Sequence, residues 1–490
     1  MMTMRKINFI KICILIFILL FGTICINDIF ISPTKGRQTV KLFYQYPKDT
    51  LDVLFVGSSH SHHTFNPVVF YENTGLYSYN MAVHRMVFEE CYFAIKEVLK
   101  YQKPKIIVLE AYSLVNEFDP ENNNSSHFLF DNMKNSYNKY LGINYNVTPD
   151  RRLEYFFPLY TYHWKWKDAS FYKELLDTKS SIPNSNYYGY HASTKILDPF
   201  TNQPLENVKT KEKAYLSKDR EKLLCNLIEM CNCKDIKLII ASAPYIDTRN
   251  IFFAIDNTKI LNGIKDITSK HDIDIIDYNA MYDYLNITKR DMRDNGHLNI
   301  FGAKKVTDHI SDYIKRRYPI LFNHKSNKVL DNQYNKKIIK FYQEYNDTKN
   351  NLPRYISEND FNELDIVYDL FNNLDKIKIL GDVTSTINQD SVLIDSFGKN
   401  ARFTLPNYKD NTNSIVVKFN INSNTNTTIE LLYCGQNEHF SNGKKETVNI
   451  YSGENIRYIV LKDNKPIGRI RLDPTNSPGL ITIKELKIAK

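Results

Sequence analysis

The 490-residue chain has few cysteines, only two tryptophans and no dense run of one charge. Its seven cysteines form no recognisable set: Cys13 and Cys25 lie in an apolar N-terminal stretch, and Cys91, Cys225, Cys231, Cys233 and Cys434 are scattered behind it. That spacing argues against a disulfide framework. Cys231 and Cys233 are too close for a zinc knuckle and have no partner pair, so buried free thiols are expected. Lysine and arginine give a net charge of +9 but are spread along the chain, which argues against a nucleic-acid-binding arm. The mildly basic balance suits an anionic partner, or serves only solubility. Internal repeats are absent. With 34 tyrosines and 13% aromatics, the composition is that of a folding chain rather than a disordered one.

Residues 12–26, ICILIFILLFGTICI, are apolar throughout. Counted from Ile7, the run reaches about the 20 residues that a bilayer-crossing helix needs. Arg5, Lys6 and Lys11 precede or enter it and no acidic residue does, which orients the start toward the cytoplasm and the remainder outside. A cleaved signal peptide is the alternative, but small-x-small cleavage residues are missing. Cys25 follows the bulky Ile24, unlike a lipidation site. The expectation is an uncleaved anchor over residues 1–30, in a single-pass protein of the cell membrane.

A parallel α/β rhythm begins near residue 45. The continuously apolar segment 51–57 and the segments 76–82, 104–112, 236–245 and 273–279 read as five strands, with helices expected over 86–100, 217–232, 253–270 and 299–317. Asn299 is a candidate N-cap for the last helix. Such alternation implies a doubly wound, flavodoxin-like parallel sheet. Residues 113–216 interrupt it with an Asn- and Tyr-rich stretch holding Trp164-Lys165-Trp166. An insertion of this length reads as a lid or substrate platform, or as a packing elaboration. The tryptophan pair suits sugar stacking or core packing equally. Residues 321–375 read as a helical connector. From 376 to 490, short alternating strands separated by Asn442-Gly443 and Pro478-Gly479 read as a β-sandwich.

The first strand ends in GSSHSHH, residues 57–63. A serine at this position stands where a helix begins, at the carboxyl edge of the sheet, where ligands of such sheets bind. It needs a base. His60 is adjacent in sequence and diverges from it, while His62 and His63 come within reach only after a turn. Asp294 and His297, two residues apart in RDNGHLNIFGA, fit better: the carboxylate can hold Nδ1–H and leave Nε2 for the serine. Three histidines in four positions also raise a metal site, but no carboxylate or thiol stands among them. His60 and His84 are expected to line the mouth of the pocket. No metal and no cofactor is expected.

Gly57-Ser58-Ser59 after an apolar strand, with Asp294 and His297 before the last helix, resembles the SGNH (GDSL-type) hydrolase superfamily over roughly residues 51–317. The resemblance implies that Ser59 is the nucleophile, His297 the general base and Asp294 its orienting carboxylate. It also locates the oxyanion donors, and there the chain departs from the pattern. Ala82 stands where a glycine N–H is usual. Glu110-Ala111-Tyr112 replaces the block that carries an asparagine, leaving Asn80 or another donor to substitute.

Anchored SGNH-like proteins that accompany membrane-bound O-acyltransferases, such as alginate acetylation proteins and the D-alanine transfer protein of teichoic acid modification, resemble this layout. They imply an extracytoplasmic O-acyltransferase or esterase working through an acyl-serine. Its partners would be a cell-surface polysaccharide or teichoic-acid-like polymer and a membrane acyltransferase. The alternative is a non-catalytic SGNH-like scaffold. The terminal sandwich resembles a carbohydrate-binding module. The domain expectation is an anchor at 1–30, the SGNH-like domain at 45–320, the connector at 321–375 and the sandwich at 376–490.

Overall fold

A computed structural model describes residues 35–116, 119–121, 124–168, 187–197, 207–247, 252–322, 326–350, 361–374, 377–398, 401–405, 412–440 and 443–490, with scattered residues between 9 and 22. The chain divides into two units, Met1–Asp347 and Thr348–Lys490.

In the first unit, β1 (Val53–Gly57), β2 (Ser78–Ala82), β3 (Ile106–Glu110), β4 (Lys237–Ser242) and β5 (Asp274–Asp277) form one all-parallel sheet. Their order is β2-β1-β3-β4-β5. Each strand lies inside its predicted segment. Every residue of β1, β2 and β3 is buried; β1 and β3 accordingly read as nearly continuous apolar runs, while β2 buries the polar Ser78 and Asn80 as well. The order reverses between β1 and β3, and this opens a crevice at their carboxyl ends.

Helices Phe88–Val98, Lys218–Cys233, Phe253–Thr268 and Ile300–Arg317 flank the sheet, close to the expected positions. Asn299 caps the last of them: its Oδ1 accepts from Phe301 N–H at 2.9 Å and Gly302 N–H at 3.3 Å. Val306, Ile310 and Ile314 on its inner face are fully buried. Within the insertion, Tyr137–Asn146 is a helix packed on Phe88–Val98. Residues 169–186 and 198–206 of the same insertion lie outside the described residues.

Two expectations are corrected, on the cysteines and on the anchor, and helix Lys328–Asn350 takes up part of the expected connector. Its Tyr334 hydroxyl donates to Ser78 C=O at 2.6 Å and accepts from Ser78 N–H at 3.0 Å, so the helix is tied to the start of β2. Cys225 and Cys233 are exposed while Cys91, Cys231 and Cys434 are buried, because residues 225 and 233 fall on the outer side of their helix. The single-pass membrane anchor is also overturned: among the described residues no helix is long and apolar enough to cross a membrane. In the apolar run the longest described stretch is residues 14–18, and its remainder lies mostly outside the described residues. Crossing takes about 20 apolar residues in one helix.

The second unit is an all-β sandwich. One antiparallel sheet joins Val383–Ile387, Val392–Ser396, Gly479–Ala489, Ser414–Ser423 and Gly453–Lys462, with Ile366–Asp369 paired to Gly479–Ala489. The other joins Lys444–Ile450, Thr427–Cys434, Arg469–Asp473, Arg402–Thr404 and Lys378–Leu380. Alternate residues of the long strands point inward. Val417, Phe419 and Ile421 meet Ile429 and Leu431 in one core.

Candidate active site

The site is built on the crevice between β1 and β3. Gly57 ends β1, and a Cβ there would lie 2.6 Å from Glu110 Cβ, so only glycine lets the two strand ends approach. Ser58 follows in extended conformation and caps helix Ser59–Thr64, its Oγ accepting from His60 N–H at 3.3 Å. The same hydroxyl donates to Glu110 Oε2 at 3.2 Å, across the switch point of the sheet. Ser59 is thus the first helical residue, where the backbone N–H has no intrahelical acceptor. It is 6% exposed.

The base arrives on a small hairpin after β5. Met292–Asp294 pairs with His297–Leu298, and Asn295 and Gly296 form the turn. Asp294 and His297 are register partners, with Asp294 Oδ1 at 2.8 Å from His297 Nδ1. His297 Nε2 lies 2.9 Å from Ser59 Oγ. Burial lifts the Asp294 carboxyl, but the hydrogen bond and charge of His297, Gly296 N–H and Arg293 outweigh it and hold it at about 2. An ionised Asp294 accepts the Nδ1 proton and leaves Nε2 to take one from the serine. Ile246 N–H latches the hairpin tip by donating to Asn295 C=O at 2.7 Å.

The local histidines have separate duties. His60 is buried, with a ring stacked on His297 at 4.6 Å and 6°. Its Nδ1 donates to Gly296 C=O at 2.5 Å, and Tyr112 and Tyr245 press on it edge-on at 4.4 and 4.5 Å. Gly296 permits this contact, since a Cβ there would sit 3.2 Å from His60 Cε1. Burial, then His297, hold His60 well below the usual imidazole range, so it is neutral. His63 donates from Nδ1 to His191 C=O at 2.8 Å and accepts at Nε2 from Arg293 at 2.7 Å. His62 packs against the His191 ring at 4.2 Å. His60 faces His297 while His62 and His63 meet edge-on at 4.6 Å, and among the described residues no three His, Cys, Asp or Glu side chains group as metal ligands would.

The expected oxyanion residues are placed unevenly. Ala82 pairs with Gly57 across β1 and β2, so its backbone lies beside the serine turn. Asn80 is not poised to donate into the crevice. Its Nδ2 donates to Ser61 C=O at 2.9 Å and Phe65 C=O at 2.8 Å, while Oδ1 accepts from Ser61 Oγ at 3.0 Å. It clamps the helix that carries Ser59. His84 is exposed, its ring 5.8 Å from Phe128. Reading the sequence missed Glu110, Tyr245, His191 and Arg293. Arg293 had a signal, being adjacent to Asp294. Glu110 had one too, an acidic residue closing an otherwise apolar strand. His191 had none, because the insertion returns it beside His62 from far along the chain (His191 N–H donates to His62 C=O at 2.8 Å).

No protein-family model matches the chain, and no curated protein does. Among solved structures it is similar to carbohydrate-binding modules. One is a variant of a family 29 module, CBM29-2, at 13% identity and TM-score 0.20, covering 24% of this chain and 82% of that one. Another is BiXyn10A CBM1 in its apo form, at 9% identity and TM-score 0.19, covering 26% and 98%. Likeness at these TM-scores supports no statement about a ligand.

Proposed function

We propose that the chain is a serine-dependent acyl enzyme of SGNH type, an esterase or O-acyltransferase. It works through an acyl-Ser59 intermediate that passes to water or to a hydroxyl of a glycan or anionic polymer. The observation that supports this reading is the Ser59–His297–Asp294 chain, with Oγ to Nε2 at 2.9 Å and Nδ1 to Oδ1 at 2.8 Å. In the first step His297 takes the Ser59 proton as Oγ attacks the ester carbonyl. The tetrahedral oxyanion collapses, and the leaving alkoxide takes the proton back from His297. The donors for that oxyanion are the backbone N–H groups of Ser59 and of the turn after β2, a sparser set than the family's usual three.

That sparseness favours a second reading, a non-catalytic SGNH-like scaffold. One missing donor slows acyl transfer by roughly a hundred- to a thousand-fold, and here Asn80 is engaged elsewhere. Labelling of the folded full-length protein with a fluorophosphonate separates the two. Covalent modification of wild type at Ser59, absent in Ser59→Ala, supports the enzyme. Unlabelled wild type with an intact fold supports the scaffold.

A further inference from the structure

Glu110 closes β3 with a side chain entirely buried. Oε2 accepts from Ser58 Oγ at 3.2 Å, and Oε1 accepts from Tyr245 Oη at 2.9 Å and from Tyr112 N–H at 2.9 Å. Two lines of contact leave this carboxyl, and both end on the reacting pair. One runs through Ser58 to Ser59, the next residue. The other runs through the Tyr245 ring to His60 and from His60, stacked at 4.6 Å, to His297. The Tyr245 backbone is itself pinned, its N–H donating to Asn279 Oδ1 at 3.0 Å. A buried carboxyl held by neutral donors is an expensive way to fill a core. Buried titratable groups of this kind concentrate where chemistry needs them.

We propose that Glu110 is a positioning residue for the reaction at Ser59, fixing the nucleophile turn through Ser58 and the imidazole base through Tyr245 and His60. The proposal rests on the serine-dependent reading above. As a carboxylate Glu110 accepts from all of these donors at once, and from Ser58 N–H as well. Once protonated it must itself donate, and one of these contacts turns or breaks. The titratable groups turned toward it are Tyr112, Tyr245 and, from helix Phe88–Val98, Cys91. Burial, opposed by the donated hydrogen bonds, brings the carboxyl to about 7. Positioning therefore improves as pH rises through neutrality, on top of the deprotonation that any imidazole base requires.

The test is the rate of fluorophosphonate labelling of the full-length protein from about pH 5 to about pH 9, for wild type, Glu110→Gln, Glu110→Asp and Tyr245→Phe, with Ser59→Ala as blank. Wild type is expected to show an acid limb steeper than one proton. Glu110→Gln is expected to label at least about tenfold more slowly with a one-proton limb, and Glu110→Asp to recover part of the steepness. Tyr245→Phe, which removes a donor and keeps the ring, shifts the limb to higher pH and decides the matter if Glu110→Gln does not fold. An unchanged limb in Glu110→Gln and Tyr245→Phe overturns the positioning role, whatever the rate. Wild type that labels no more than Ser59→Ala overturns the serine reading and this proposal with it.

Discussion

Asp294 and His297 face each other as cross-strand partners at the mouth of a two-residue hairpin turn, with 2.8 Å between Oδ1 and Nδ1. Strand pairing sets the carboxylate–imidazole distance, so it does not depend on the conformational freedom of a long loop. The hairpin is itself tied down: Asn299 Nδ2 donates to Met292 C=O at 3.2 Å and Leu197 N–H donates to the same carbonyl at 2.7 Å. The base is carried on a preformed element rather than assembled when substrate binds.

Asp294→Asn tests that preformed pair. The amide keeps the shape but loses the charge that favours a proton on Nδ1, and it can stabilise the wrong tautomer. The expected loss in labelling rate is about 10³- to 10⁴-fold, with the fold intact by circular dichroism. Asp294 is held at about 2, so its protonation does not set the acid limb of the wild-type reaction. Its stabilising contribution is present above the ordinary value of 3.8 and is lost only as pH falls through about 2. A variant within tenfold of wild type would show that the carboxylate is not the orienting group.

His60→Phe separates stacking from tethering. The phenyl ring keeps the face against His297 and the contacts with Tyr112 and Tyr245, but it cannot donate to Gly296 C=O. The rate should fall roughly tenfold through a looser base. The acid limb should stay in place, because neutral His60 does not titrate in the working range. A limb displaced by a full unit would instead mean that His60 exchanges protons with the site.

Much of this arrangement was legible in the sequence. β1 and β3 are buried on both faces and so announced themselves as apolar runs, and Asn299 announced the last helix. The Ser59, Asp294 and His297 triple was legible because each residue sits at the end of a regular element, where spacing along the chain translates into position. His60 was expected at the rim and is buried. Its role depends on the direction of one ring, which the hairpin from the far end of the domain decides. Asn80, within β2, looked like a substitute for the asparagine that the Glu110-Ala111-Tyr112 block lacks, yet Ser61 and Phe65 claim its amide. Those contacts form across helix and strand and leave no periodic trace. Helix Lys328–Asn350 read as a connector because the buried stripe of Leu330, Tyr334 and Phe341 is set among many polar residues that mask it in the sequence.

Asn80→Ala distinguishes a clamp from a donor. Removing the amide leaves the buried carbonyls of Ser61 and Phe65 without that partner, a loss of about 2–4 kcal/mol in unfolding free energy. Urea denaturation should show it as a lower midpoint at unchanged slope. The labelling rate of the fraction that remains folded should change by less than about tenfold. A rate collapse of a hundredfold or more at wild-type stability would return Asn80 to the oxyanion hole.

Glu110 gives stability a pH dependence opposite in sign to that of Asp294. Its carboxyl is raised from 4.5 to about 7, chiefly by burial. The folded chain therefore binds this proton more tightly than the unfolded chain does. Between those two values the native state holds more protons, and stability falls as pH rises. It is greatest below about 4.5 and levels off above about 7. Glu110→Gln carries no such proton and lacks the slope. The unfolding free energy of the variant minus that of wild type should therefore climb from pH 4 to pH 8, by on the order of 3 kcal/mol. The difference, read from urea melts at each pH, cancels the titrations that the two proteins share. A flat difference would mean that the Glu110 carboxyl titrates alike in the folded and unfolded chains, unshifted by burial. The acid limb of the reaction would then not come from a shifted Glu110.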